Sequence, residues 1–378
     1  MKTGVPTANL VVVTGGAGYI GSLLVRQLLE TGTPVRIFDR MLYGDDAISQ
    51  VLDHPLCDMV VGDFRNPEKV TVALQGASAV IHLGAIVGDP ACAVDEDLAL
   101  TTNVTGAAIV ADACIEQGVA RMIFASTCSV YGASNRPLDE TSALHPLSLY
   151  ANTKVAAEKA VLSRRRKGFA PVVLRFGTAF GTSSRERFDL VVNLLTAKAV
   201  RDGQITIFGG DQWRPFIHVF DIARAVRMAL KVPIESVSGQ VINVGVDSLN
   251  YRLHEVGAII QQLVPHSSVI TCDQVTDNRN YYVHFAKAIA LLGFSPTRTL
   301  QDGVKELAEI LSTGQINSYH DAKYHNVLQL SVDTQLMPNR SASVSSGPLE
   351  TVLAKPVFHQ SRYDAPVVLD DGNRNAGT

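Results

Sequence analysis

The chain has 378 residues, 46% of them hydrophobic, enough for a full core and, at roughly 100–200 residues per domain, for two domains or one elaborated one. With 33 basic against 36 acidic residues, no overall field favours nucleic acid or an anionic membrane, so an acidic ligand needs local basic residues. Five scattered cysteines (Cys57, Cys92, Cys114, Cys128, Cys272) lack CxxC spacing and the ten histidines form no HxxxH or HExxH, which argues against a disulfide framework and a metal centre and for the reducing cytoplasm.

The apolar run 10–13 (LVVV) is too short for a secretory signal or a membrane span and reads as a buried first strand. After the glycine-rich string at 14–21, the pattern predicts a helix over 22–31, strands at 35–38 and 59–61, a helix near 67–74 and a strand at 79–83. A helix near 99–117, a strand at 121–125, a helix over 150–166 and a strand at 171–174 complete the first half. Short, all-apolar strands alternating with helices predict a doubly wound α/β fold of the Rossmann type, a parallel sheet covered on both faces. From about 177 the rhythm weakens: helices near 189–201, 219–230, 254–264, 286–292 and 300–311 mix with strands at 205–208, 216–218 and 241–244. This predicts a smaller mixed α/β lobe over 177–314, parts of which return to the sheet of 1–176. Beyond 315 periodicity fails, Pro and Ser cluster at 339–348, and 315–378 reads as an irregular extension.

Within Thr14-Gly-Gly-Ala-Gly-Tyr-Ile-Gly21, the spacing Gly15-x-x-Gly18-x-x-Gly21 allows a tight turn, close approach of backbone to a pyrophosphate, and close helix–strand packing, with Tyr19 and Ile20 on the entering helix. A strand before, a helix after and Asp39 at the end of the second strand separate it from an ordinary flexible loop. Asp39 suits a ribose 2′-hydroxyl and repels a 2′-phosphate, so NAD is expected rather than NADP; Arg40 next door is the residue that could accept that phosphate.

Tyr150-Ala-Asn-Thr-Lys154 opens a helix, so the two side chains share a face. A phenol near pKa ~10 becomes a usable base beside an ammonium and an oxidised nicotinamide. Alone this spacing fits an ordinary surface helix better. Its company is different: TGGAGYIG, Asp39, Gly62-Asp63-Phe64-Arg65, His82-Leu83-Gly84-Ala85, Asn103-Val-Thr-Gly106, Ser126-Thr127-Cys128-Ser129-Val-Tyr-Gly132 and Arg175-Phe176-Gly-Thr178 occur in order. Together they resemble the extended short-chain dehydrogenase/reductase family, particularly its nucleotide-sugar epimerases and dehydratases, over about 9–312.

The resemblance implies that Asp63 and Phe64 meet the adenine, that Leu83, Gly84 and Ala85 line the cofactor phosphate and ribose, and that Asn103 and Phe176 belong to the same site. Lys154 would bond the nicotinamide ribose, Ser126 would offer backbone to the nicotinamide end, and Thr127 would hydrogen-bond the reacting sugar hydroxyl. Arg214, in Trp213-Arg-Pro-Phe-Ile-His218, and Arg279 correspond to diphosphate-binding arginines, whose planar forks suit bidentate contacts. Thr178, Arg187, Asn193 and the stretch from Ile205 to Phe208 are further substrate contacts, the last through backbone that reads the base. His218 reads as a packed strand histidine. A homodimer through the helices near 99–117 and 150–166 is also implied.

The related dehydratases carry Asp-Glu directly after the threonine; here Cys128 and Ser129 stand there. Serine is no base, and a thiol near pKa ~8.5 needs activation. A 4-epimerase needs neither, because hydride returns to the other face of a keto-sugar. The expectation is therefore an NAD-dependent nucleotide-diphosphate-sugar 4-epimerase, with a dehydratase, a net carbonyl reductase or dehydrogenase, or a non-catalytic NAD sensor as alternatives.

Overall fold

The computed structural model describes residues 6–272 and 277–336. Seven parallel strands form the main sheet: β1 (Val11–Thr14), β2 (Val35–Asp39), β3 (Cys57–Val61), β4 (Ala79–His82), β5 (Arg121–Thr127), β6 (Ala170–Phe176) and β10 (Val241–Val244), ordered β10-β6-β5-β4-β1-β2-β3. β1 lies between β2 and β4, with Val13 opposite both Ile37 and Ile81. Strand order therefore reverses beside β1, which opens a crevice at the carboxyl ends of β1 and β4.

The all-apolar strands have a direct cause. Val11 and Val13 point into one core, with Ile37, Ile81 and Ile123, against helices Tyr19–Glu30 and Val219–Lys231. Val12 points the other way, with Phe38, Val80, Met122 and Phe124, against helices Pro67–Leu74, Gly106–Glu116 and Leu149–Leu162. Both faces are dry, so every position of β1 is buried, and each such Val or Ile contributes about 1.5–3 kcal/mol.

Three strands form a second sheet, β11 (Asn250–Arg252), β9 (Trp213–His218) and β7 (Thr178–Phe180), with β9 antiparallel to β11 and parallel to β7. β8 (Gln204–Phe208) pairs in parallel with β12 (Ser268–Cys272). β10, far along the chain, closes the edge of the main sheet beside β6.

Two expectations change. The helix expected over 99–117 is three pieces, Glu96–Leu100, a wider π turn at Thr101–Thr105, and Gly106–Glu116. Residues Glu96–Glu116 are apolar and long enough to cross a membrane, but half of that stretch is buried against neighbouring elements. The region after 315 is not irregular where it is described. Ile316 and Tyr319 pack on Phe188, Leu307 and Leu311, and helix Asn326–Leu336 follows. Leu330, 1% exposed, packs with Ile86, Ala91, Cys92 and Ala99. The helix docks through Leu330 and through polar bonds from Asn326 and Gln329, so few apolar positions mark it in the sequence. The Pro/Ser cluster at 339–348 lies outside the described residues.

Candidate active site

The glycine loop turns at the crevice because Gly15 adopts φ +71°, where a Cβ would also lie 2.7 Å from the backbone N of Gly84. At Gly21 a Cβ would sit 2.2 Å from the Gly15 carbonyl oxygen, so only glycine lets the helix start so close to the loop. Asp39, at the end of β2, accepts from the Ala17 N–H at 3.0 Å and the Met41 N–H at 2.9 Å. The carboxylate is thereby oriented over the loop with lone pairs left for a ribose. Burial raises its pKa while these N–H groups oppose the rise.

One cavity of about 570 Å³ runs from this loop across the carboxyl edge of the sheet. Its wall contains Gly15, Gly18, Tyr19, Ile20, Gly21, Asp39, Arg40, Phe64, Leu83, Gly84, Ala85, Ser126, Tyr150, Lys154 and Phe176 at the cofactor side. Thr127, Ser129, Thr178, Arg187, Arg214 and Arg279 line the same cavity. A dinucleotide fits this frame: glycine backbone for a pyrophosphate at a helix N-terminus, and a carboxylate at the second strand end.

Tyr150 and Lys154 lie in the first turns of helix Leu149–Leu162, whose N-cap Ser148 accepts from the Ala151 N–H. Burial pushes the Tyr150 phenol well above its usual range, with Arg187 and a hydrogen bond to Thr127 opposing the shift. The Lys154 ammonium stands 4.5 Å from the centre of the Phe124 ring. Burial lowers it to about 8, Glu158 acting against that fall. One turn on, Glu158 takes a bidentate contact from Arg175 at 3.0 and 2.7 Å and a short bond from the Ser126 hydroxyl. Arg175 also donates to the Tyr131 hydroxyl, which donates to Asn243. This buried network ties helix Leu149–Leu162 to β5, β6 and β10.

His82 is held neutral, burial and then Lys154 lowering it to about 3. Thr14, which accepts from the Gly84 N–H, sits 2.7 Å from the His82 Nδ1. Phe64 reaches the cavity floor because Gly84 and Gly106 carry no side chain; a Cβ on either would lie 2.5 Å from its ring.

Six residues selected from the sequence lie off the cavity wall. Asp63 is clamped by Arg65 at 2.7–3.1 Å. Asn103 sits on the π turn, accepts from the Ile86 N–H and donates to the Ile86 carbonyl and the Thr153 hydroxyl, so it positions loop and helix. Cys128 is 1% exposed, its thiol donating to the Arg175 carbonyl at 3.4 Å. Asn193 is fully buried and spends its amide on Gly181, Arg187 and Tyr19. Ile205 is core and Phe208 is 41% exposed at the end of β8. None of these six side chains lines the cavity; their hydrogen bonds and packing within the protein are those just given.

The structure adds residues that the motifs did not mark. Asp89 joins the wall beside Arg279, 3.3 Å away. Asp277 bridges the two arginines, 3.1 Å from Arg214 and 2.6 Å from Arg279. Although burial alone would raise it, Arg279 and Arg214 bring Asp277 down to about 2. Arg185 lies over the Tyr43 ring at 3.5 Å, with Asn326 of the C-terminal helix bonded to it at 2.8 Å. Arg185 stands two positions before Arg187 and was open to recognition; Asn326 follows no motif.

A Tyr–Lys pair across the switch-point crevice from a glycine loop defines a nicotinamide-dependent enzyme of the extended short-chain dehydrogenase/reductase type. The family model described as NAD dependent epimerase/dehydratase matches residues 11–245. The chain belongs to this NAD-dependent epimerase/dehydratase family. It is 27% identical to an uncharacterized UDP-glucose epimerase, YtcB, of Bacillus subtilis over 80% of this chain and 98% of that protein. It is 26% identical to a dTDP-glucose 4,6-dehydratase of Streptomyces niveus over 79% and 91% respectively. Among solved structures it is similar to the UDP-glucuronic acid 4-epimerase of Bacillus cereus in complex with UDP-glucuronic acid and NAD, at TM-score 0.73 and 26% identity over 80% and 99%.

Proposed function

We propose that the protein is an NAD-dependent epimerase of a nucleotide-diphosphate sugar, acting at C4 through a transient 4-keto sugar. Bound NAD supplies the hydride acceptor and donor. Thr127 hydrogen-bonds the 4-hydroxyl and Tyr150 takes its proton as the C4 hydrogen departs as hydride; on return the same tyrosine gives the proton back. Lys154 holds positive charge near the phenol and bonds the nicotinamide ribose. Arg214 and Arg279 exchange their shared carboxylate, Asp277, for the diphosphate, whose charge suits their forks.

The observation that carries this reading is the end of β5. The Cys128 sulfur faces the Arg175 carbonyl, and the Ser129 hydroxyl accepts from Thr127 and lies 3.5 Å from the Tyr281 hydroxyl. Neither position holds the acid and base that removal of a C5 proton and a C6 hydroxyl needs. The protein is further read as a cytoplasmic homodimer paired through helices Gly106–Glu116 and Leu149–Leu162, with light scattering as its check.

The test offers the protein a panel of UDP-, dTDP-, GDP- and CDP-sugars with NAD in heavy water. A C4 epimer with no deuterium on carbon is expected. Deuterium uptake coupled to loss of water overturns the proposal in favour of dehydration, and stoichiometric reduction of the added NAD with net oxidation of the sugar in favour of a dehydrogenase.

A further inference from the structure

The C-terminal helix Asn326–Leu336 reaches the cofactor end of the cavity. Gln329 donates to the Leu42 carbonyl at 3.2 Å, two residues beyond Arg40. Asn326 donates from its side chain to the Val87 carbonyl and from its backbone to Asp189. With Leu330 buried below, these bonds hold the helix in one seat. One turn past Gln329, Asp333 lies 2.5 Å from the Arg40 guanidinium, their side chains 25% and 20% exposed.

Arg40 directly follows Asp39 and lines the cavity. It is the cation placed to take a phosphate on the ribose that Asp39 faces. We propose that Asp333 is a specificity-determining residue: by engaging Arg40 from the C-terminal helix, it makes the site select NAD against NADP. The inference rests on the reading of Asp39 as the adenosine-ribose carboxylate.

The charges decide the sign. Asp39, Asp63 and Asp333 surround Arg40, and Arg65 is occupied by Asp63. With Asp333 in contact, the Arg40 guanidinium is paired on the side from which NADP would bring a phosphate of roughly −1.5 to −2, and the Asp333 carboxylate repels that phosphate. NAD brings only hydroxyls there and feels little of it. Without the Asp333 charge that repulsion goes and Arg40 gains a free fork for bidentate phosphate binding. An arginine beside the ribose carboxylate is thus silenced by a residue 293 positions away.

The experiment titrates NAD and NADP into the full chain by calorimetry, for the wild type, Asp333→Asn, Asp333→Glu and Asp333→Asn combined with Arg40→Ala. Asp333→Asn should tighten NADP by about tenfold and leave NAD within about twofold. Asp333→Glu should keep the wild-type ratio, and the Arg40→Ala double variant should lose the gain. An unchanged NADP/NAD ratio in Asp333→Asn overturns the inference, including the case in which a displaced helix weakens both cofactors together. A gain that persists without Arg40 also overturns it. A wild type that binds neither cofactor is a separate result, since it removes the cofactor reading and the inference with it.

Discussion

Cys128 and Arg175 meet thiol to carbonyl at 3.4 Å, so the sulfur turns into the sheet while its neighbours Thr127 and Ser129 face the cavity. β5 ends at Thr127, whose hydroxyl caps the 3-10 turn Cys128–Tyr131 by accepting from the Ser129 N–H at 3.1 Å, and the packing of that turn against β6 directs the sulfur inward. Burial pushes the thiol up, away from the thiolate. Cys128→Ala should therefore keep turnover within about twofold and cost about 1 kcal/mol of stability, as expected for loss of one small buried group. Loss of turnover with NAD binding intact would assign the thiol a chemical role.

Lys154 is costly to the fold. Its pKa falls from 10.5 to about 8 on burial, so between those values the unfolded chain binds more protons and stability rises with pH. Below about 8 the penalty is complete and constant. Lys154→Met should be more stable than the wild type at pH 7, by on the order of 1–3 kcal/mol. The advantage should vanish near pH 10.5, while turnover drops by about a hundredfold or more. Urea denaturation at pH 7 and pH 10 checks it; a destabilised variant at pH 7 would show that the ammonium has compensating partners.

Arg214 and Arg279 share Asp277. Under the proposed function, Arg279→Ala should raise KM for the nucleotide sugar by about 10–200-fold, the worth of one or two charge-assisted bonds, with a smaller change in kcat. Arg279→Lys should recover only part, because an ammonium lacks the planar fork. Steady-state kinetics checks both, and an unchanged KM in Arg279→Ala would place the diphosphate elsewhere.

Leu330 anchors the C-terminal helix in the pocket formed by Ile86, Ala91, Cys92 and Ala99. Leu330→Ala should cost about 2–4 kcal/mol. Because Asn326 and Val327 of the same helix line the cavity, NAD binding should weaken in parallel. Denaturant unfolding and a cofactor titration measure the two effects, and full stability in the variant would mean that the helix is seated by its polar bonds alone.

The first half of the fold was legible because all-apolar strands and glycine punctuation have local causes. Both sides of Val11–Val13 are dry, and Gly15 must take a positive φ. The second half was less so. β7, β11 and β12 are three to five residues long, and half-exposed edge pieces such as β12 carry no apolar run to mark them. In the site, Tyr150, Lys154, Thr127, Arg214 and Arg279 follow from ordered motifs. Asn193 looked the same in sequence but lies against Gly181 and Tyr19 with no face to the cavity.

By itself the sequence determined the doubly wound half, the dinucleotide loop, the carboxylate at the end of β2 and the Tyr–Lys pair, since each depends on spacing within one strand–turn–helix unit. Only the tertiary structure decided which way Cys128 points, that Asp277 joins two arginines, and that Asp333 meets Arg40. Those relationships depend on packing between segments up to 293 residues apart. Local propensity and periodicity do not encode the angle at which such segments meet.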